Sequence, residues 1–348
     1  MKVLVTGGAG YIGSHLIDAL MAQGDEIYVV DNLSTGKIDN IRHLLENKHF
    51  HFVNDSILNE TLMERIIEQA DLIYHLAAVV GVKYVVEDPL RAILTNVRGT
   101  ETVLELAFKH WKKVVIASSS EIHGKSTEVP LSEDGDRVLG PTSVGRWSYS
   151  DSKAIDEYFA LAYSKRGLPV VVVRYFNSYG PRLDPKGYGS VIARFISQAL
   201  RGEPLTVYDD GQQTRCFTYI QDTVRGSILA ATTREAEGQV FNIGSSRETP
   251  ILELARLVKR LVNSPSEIIN VPYVEAYGAD FEETRRRVPD VRKAETMLGF
   301  RTEIPLEEGL RRTIDWFQSS GVASQRRSES SLAHGRLDAD MEQLCKQS

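Results

Sequence analysis

Apolar residues in the first 180 positions gather into short β-branched runs separated by longer stretches of helical spacing. The runs are Val3–Thr6, Ile27–Val30, Phe50–Val53, Leu72–His75, Val114–Ala117 and Val170–Val173. They are continuously apolar rather than alternating, the pattern of strands covered on both faces. Between them, amphipathic stretches such as 11–23, 62–69, 90–110 and 148–166 are long enough for helices. This alternation predicts βαβ units and an α/β fold with a doubly wound parallel sheet.

Beyond about residue 180 the alternation stops. Pro181, Pro185, Gly187 and Gly189 mark a loop, a helical stretch follows over 190–201, and shorter elements continue to about Phe317. The pattern predicts a cofactor-binding lobe over 1–180 and a smaller α+β substrate lobe over 181–318 that can return segments to the main sheet. From 319 to 348, Ser, Arg, Gln and Glu dominate and apolar residues thin out. That composition reads as a disordered tail, with a loosely attached terminal helix as the alternative.

Charge and cysteine usage narrow the classes. A net charge of −6 with scattered lysines and arginines argues against a nucleic-acid partner, which would leave a basic stripe. No apolar run reaches the ~18 residues of a membrane span, and no signal-peptide pattern opens the chain. Cys216 and Cys345 are the two cysteines, too few for a disulfide framework or a zinc cluster, and no set of His, Asp and Glu has metal-ligand spacing. A cytoplasmic enzyme without a metal is the expectation.

The first chemistry-bearing motif is Val3-Leu4-Val5-Thr6-Gly7-Gly8-Ala9-Gly10-Tyr11-Ile12-Gly13. A strand runs into Gly7, Gly10 and Gly13, and a helix follows at once. Glycines there permit a tight turn, close approach to a pyrophosphate and close helix–strand packing, while the helix N-terminus offers amide donors. Asp31 ends the second strand, 18 residues beyond Gly13. A carboxylate there can accept bonds from ribose hydroxyls and would repel a 2′-phosphate, so NAD is favoured over NADP.

Tyr149 and Lys153 form a second motif, four residues apart on one helical face. A cation close to a phenol favours phenolate, which predicts a tyrosine pKa lowered toward neutrality and fit for a general base. Ser118, Ser119 and Ser120 end the fifth strand, where such sheets bind ligands.

The Gly-x-x-Gly-x-x-Gly spacing with Tyr-x-x-x-Lys resembles the extended short-chain dehydrogenase/reductase group, specifically its NAD-dependent epimerase/dehydratase family. The resemblance covers about residues 1 to 317. It implies that Tyr11, Ile12, Asn32, Asp55 and Ser56 join the NAD contacts, with Asp55 on the adenine. Leu76, Ala77 and Ala78 would pass beside the cofactor, with Asn96 as the family's structural asparagine in the same group. It implies Tyr149 as base on a sugar hydroxyl, Lys153 tuning it and holding the nicotinamide ribose, and Ser119 bonding the same oxygen. Arg174-Tyr175-Phe176-Asn177-Ser178-Tyr179-Gly180-Pro181-Arg182 and Gln213-Thr214-Arg215-Cys216-Phe217 match motifs in which the asparagine and arginine contact the substrate diphosphate. Asn177 and Arg215 inherit those roles.

Three features point within the family to UDP-glucuronate decarboxylases. Ser119-Ser120-Glu121-Ile122-His123-Gly124 places Glu121 where hexose 4-epimerases usually carry a small residue, a glutamate that resembles both nucleotide-sugar 4,6-dehydratases and UDP-glucuronate decarboxylases, and puts Ser120 at the substrate. Arg146-Trp147-Ser148-Tyr149 resembles the decarboxylase that makes a 4-keto pentose. Arg285-Arg286-Arg287-Val288-Pro289-Asp290 resembles a decarboxylase stretch whose arginine, Arg287 here, lies near the departing carbon. A solvated charged turn is the plain alternative for the arginine run. His123 stands where the family usually has tyrosine, and a packed, hydrogen-bonded histidine is expected.

The leading expectation is therefore an NAD-dependent enzyme that oxidises C4 of a UDP-linked hexuronate and decarboxylates it. A UDP-hexose or UDP-hexuronate 4-epimerase is the main alternative, then an NDP-hexose 4,6-dehydratase, then a non-catalytic NAD-binding scaffold. The resemblance also implies a homodimer joined through the helices at about 90–110 and 148–166.

Overall fold

In a computed structural model describing residues 1–81, 85, 88–184, 190–277, 282 and 284–321, all six apolar runs are strands. They are β1 Lys2–Thr6, β2 Glu26–Val30, β3 Phe50–Val53, β4 Leu72–His75, β5 Lys113–Ser119 and β6 Val170–Tyr175. Alternate side chains of a strand face opposite sides of a sheet, and here both sides are packed. Val3 and Val5 enter one buried cluster with Leu16 and Ile17, while Leu4 enters the other with Met63, Val103 and Leu104. Val115 separates from Val114 and Ile116 in the same way. Two faces buried at once explain why the runs lack alternation.

The covering helices are α1 Tyr11–Ala22, α2 Glu60–Ile67, α3 Pro89–Lys109 and α4 Trp147–Lys165. Asp88 sets the start of α3: its carboxylate accepts from the Arg91 amide at 3.0 Å and Pro89 follows in the first turn. The second half carries β7 Ser178–Tyr179, α5 Val191–Arg201, β8 Leu205–Tyr208, β9 Thr214–Cys216, β10 Thr218–Tyr219 and α6 Ile220–Thr232. It continues through β11 Val240–Ile243, β12 Glu248–Pro250, α7 Ile251–Val262, β13 Ile268–Val271 and α8 Tyr273–Tyr277. β14 Arg286–Arg287, α9 Arg292–Leu298 and α10 Leu306–Ser319 complete it.

The main sheet has the order β11-β6-β5-β4-β1-β2-β3, every neighbour parallel. The chain winds outward from β1 to β3 and then returns to β4 beside β1. That reversal leaves a crevice at the carboxyl ends of β1 and β4, the place where such sheets bind ligands. The segment returning from beyond residue 180 is β11. Its buried Asn242 interrupts the apolar run because it is a tie: Nδ2 donates to Leu131 O at 2.8 Å and to Asp290 O at 3.0 Å.

The cluster that holds Val3 continues through Phe195, Leu205, Leu254, Ile314 and Phe317, so the second half shares the core of one sheet face. Helix α10 reaches Ser319; residues 322–348, with most of the expected tail, and the loop residues Pro185, Gly187 and Gly189 lie outside the described residues.

A shared core predicts cooperative unfolding. Phe317→Ala should cost about 3–5 kcal/mol and lower a single melting transition of the whole chain in calorimetry. Two separated transitions would show that the lobes fold apart.

Candidate active site

The glycines of the first turn are required by what surrounds them. Gly7 has φ +70, and a Cβ there would meet Ala77 N at 2.8 Å; one on Gly13 would meet Gly7 O at 2.3 Å. A side chain at either place would push the turn off β4 or α1 off the sheet. Helix α1 starts after Gly10 with no side-chain cap, so its first-turn amides point toward the crevice. Asp31 is fixed beside this turn: its carboxylate accepts from Ala9 N at 3.0 Å and Leu33 N at 2.8 Å. Burial raises its pKa, opposed by those two amides. A glycine cradle, free helix amides and an oriented acid fit a dinucleotide.

The crevice opens into a cleft of about 420 Å³. Its walls include Gly7, Gly10, Tyr11, Ile12, Gly13, Asp31, Asn32, Asp55, Ser56, Leu76, Ala77 and Ala78 at one end. Ser119, Ser120, Glu121, Tyr149, Lys153, Asn177 and Arg287 line the other. Two expected residues are elsewhere. Asn96 is fully buried behind the wall: its Oδ1 accepts from Val79 N at 2.8 Å and its Nδ2 donates to Ser152 Oγ at 3.1 Å. It holds Val79, which lines the cleft, through that bond. Arg215 lies on β9 in register with Arg287 on β14 and donates to Thr214 O at 2.7 Å. It is not part of the lining.

Tyr149 and Lys153 share one face of α4, as their spacing predicts, and Ser119 lies close enough to the Tyr149 hydroxyl to lower its pKa. The lowered phenol pKa expected from the pair does not appear. Burial raises it, and although Lys153 and Ser119 pull it down, the charges of Glu121 and Asp156 push it up again. Sequence spacing reports the cation and misses the anions. Burial pulls the Lys153 pKa down, but Asp156 at 3.0 Å, Tyr149 and Glu157 together outweigh it and raise the lysine above its ordinary range.

At the far end, Glu121 Oε1 accepts from Arg287 Nη1 at 2.6 Å, and Oε2 lies 3.6 Å from Arg146 Nη2. Burial favours the neutral acid, yet Arg287 and Arg146, with Arg215 beyond, hold its pKa down at about 2. The flanking arginines divide: Arg285 and Arg286 are exposed and paired with Asp210 and Glu248, whereas Arg287 is buried. All three serines border the cleft, and the Ser118 hydroxyl is engaged by Glu157, to which it donates at 2.5 Å. His123 is packed, but neither ring nitrogen has a hydrogen-bond partner among the described residues. Burial first, then Arg174, Arg287 and Arg137, keep it neutral with a pKa of about 3.

Residues that motif reading passed over hold this frame. Glu157 is buried and accepts from Arg174 at 2.9 and 2.7 Å. Glu282 accepts from Lys125 at 2.9 Å and Trp147 Nε1 at 3.0 Å, and its carbonyl accepts from Arg146. Asp156, three residues after Lys153, had a readable signal in its helical spacing; Glu282 had none, being 135 residues from Trp147.

Residues 4–313 match the family model described as GDP-mannose 4,6 dehydratase. A UDP-N-acetyl-alpha-D-glucosaminuronate decarboxylase of Bacillus cytotoxicus is 44% identical over 317 residues, 91% of this chain and 98% of that one. UDP-glucuronic acid decarboxylase 1 of Xenopus tropicalis is 38% identical, over 91% of this chain and 72% of its own. Among solved structures, UDP-glucuronic acid 4-epimerase from Bacillus cereus, in complex with UDP-glucuronic acid and NAD, superimposes with a TM-score of 0.81. It shares 31% identity, covering 92% of this chain and 99% of its own.

Because Glu121 titrates below its ordinary 4.5 when folded, its pairing contributes stability that is fully present above that value. The contribution is lost as pH falls toward about 2. Denaturant melts should find Arg287→Met less stable than wild type near neutral pH, with the gap narrowing through that acid window. A gap independent of pH would contradict this account of the pair.

Proposed function

The chain belongs to the GDP-mannose 4,6-dehydratase family of extended short-chain dehydrogenases/reductases, and we propose that it is an NAD-dependent decarboxylase of a UDP-linked hexuronate. The observation that carries the choice of reaction is the cluster around Glu121. Two guanidinium groups, Arg287 and Arg146, address one carboxylate there, with a third charge from Arg215 behind. Guanidinium groups gathered there suit a sugar carboxylate, which a neutral hexose lacks. A glutamate held ionised to about pH 2 is also poorly placed to shuttle a proton as a dehydratase requires. Relatives whose names specify uronate decarboxylation support the same choice.

Gly7, Gly10, Gly13, the α1 amides and Asp31 would hold the dinucleotide, with Asp55 and Ser56 at its adenine end and Lys153 at the nicotinamide ribose. When bound, NAD⁺ supplies the hydride acceptor for C4 and adds a positive charge beside the phenol. Tyr149 then takes the proton of the C4 hydroxyl, Ser119 orients that oxygen, and Lys153 stabilises the phenolate. The resulting ketone is β to the carboxylate, so cleavage of the C5–C6 bond leaves its electron pair in an enolate while carbon dioxide departs. Tyr149 and Ser119, already at the C4 oxygen, stabilise that enolate. Arg287 and Arg146 orient the carboxylate, and Asn177 and Arg215 hold the diphosphate side. The UDP moiety and the choice between glucuronate and its 2-acetamido form rest on the relatives' names.

The same family reading makes the protein a homodimer. Leu90 and Ile93 on α3 and Ile155 and Tyr158 on α4 are exposed apolar residues on two helices that pack side by side, a patch that a second copy would cover. No described helix is long and apolar enough to cross a membrane.

Incubation with NAD and either UDP-hexuronate should release carbon dioxide and a product lighter by that mass. A product of unchanged mass would establish epimerisation instead, and loss of water a dehydratase. Tyr149→Phe should lower kcat about 10²–10⁴-fold with NAD affinity retained in a binding titration; a near-normal rate would remove Tyr149 as the base. Ile155→Glu should release monomers in sedimentation velocity, and an unchanged mass would count against the α3/α4 interface.

A further inference from the structure

The catalytic helix carries a buried acid that the reaction scheme does not use. Asp156 is completely buried, and its Oδ2 accepts from Lys153 Nζ at 3.0 Å. Its Oδ1 accepts no hydrogen bond among the described residues, and the nearby Thr100 hydroxyl on α3 lowers its pKa against the rise caused by burial. Thr100 Oγ1 meets His75 Nε2 at 3.0 Å, and His75 Nδ1 meets Thr6 Oγ1 at 2.8 Å. Thr6 Oγ1 in turn accepts from Ala77 N at 3.2 Å, at the wall of the cofactor cleft. A buried run of hydrogen bonds thus joins the ends of β1 and β4 to Thr100 on α3, next to the Lys153–Asp156 pair on α4.

We propose that Asp156 is a positioning residue for the reaction: its carboxylate keeps the Lys153 ammonium charged and in place, and tempers the pull of that ammonium on the Tyr149 proton. The physical need is plain. An unpaired ammonium at this depth would shed its proton and leave no cation beside the phenol. A carboxylate in contact prevents that, at the cost of a negative charge that disfavours phenolate. The other ionisable groups facing the pair do not replace it. Glu157, next on α4, is held by Arg174 from β6 and Ser118 from β5. His75 from β4 is kept neutral by burial and by Lys153. Glu121, at the other end of the cleft, is paired with Arg287.

Removing the negative charge should make proton loss from the Tyr149–Lys153 couple easier, whichever group is assigned the proton. The inference rests on Tyr149 as the base, so the test carries Tyr149→Phe as a control. The experiment is the pH profile of kcat/KM for the NAD-saturated full chain with UDP-glucuronate and its 2-acetamido form. In Asp156→Asn, whose amide oxygen can still accept from Lys153, the acidic limb should move down by about one pH unit. Asp156→Glu, which keeps the charge, should restore the wild-type limb even where its plateau rate is reduced. Should the Asn variant fail to fold, Asp156→Ser removes the same charge and should show the same displacement. An unmoved limb in the charge-removing variants, with only their rate or melting temperature lowered, overturns the proposal and leaves Asp156 a packing residue. An active Tyr149→Phe overturns the assignment of the base and this proposal with it.

Discussion

The ion pair between Glu121 and Arg287 joins residues 166 apart in sequence, and much of the site depends on it. Glu121 stands just past the end of β5, on the sheet that builds the cofactor crevice. Arg287 stands on β14, a two-residue strand added to β9 and β12. Without the shared core there would be no surface on which β14 could lie. Without the pair, a carboxylate and a guanidinium would each be left partly desolvated beside the cleft, an arrangement that is costly when one partner is missing. The two halves of the chain thus share a buried cluster and meet at this pair.

Charge is arranged in two opposed groups along the cleft. Near the base, Lys153 is matched by Asp156, so the phenol is not strongly activated by its neighbours alone. At the other end of the cleft, Arg287 and Arg146 gather around Glu121 and hold it ionised.

The parts legible in sequence share a physical basis. Strands β1 to β6 were readable because burial on both faces demands unbroken apolar runs, and β11 was not because Asn242 exchanges apolar character for a tie to Leu131 and Asp290. Gly7 and Gly13 were readable because a turn and a close approach each restrict the residue type, and Asp31 because an acid just past β2 stands out against the apolar run before it. Tyr149 and Lys153 were readable from helical spacing, but the sign of the phenol's shift was not, since it depends on burial and on Asp156 and Glu121. Arg287 and Glu121 could each be picked out by resemblance; that they touch could not. Asn96 could be picked out as a structural asparagine by resemblance; that it holds Val79 in the wall could not.

The central claim is that Arg287 serves the departure of the carboxylate and not the oxidation that precedes it. Rapid mixing of Arg287→Met with NAD and a UDP-hexuronate, following NADH absorbance and carbon dioxide together, separates the two. The account predicts that NADH still forms while carbon dioxide release falls about a hundredfold or more. Equal loss of both signals, or carbon dioxide release at the wild-type rate, would contradict it.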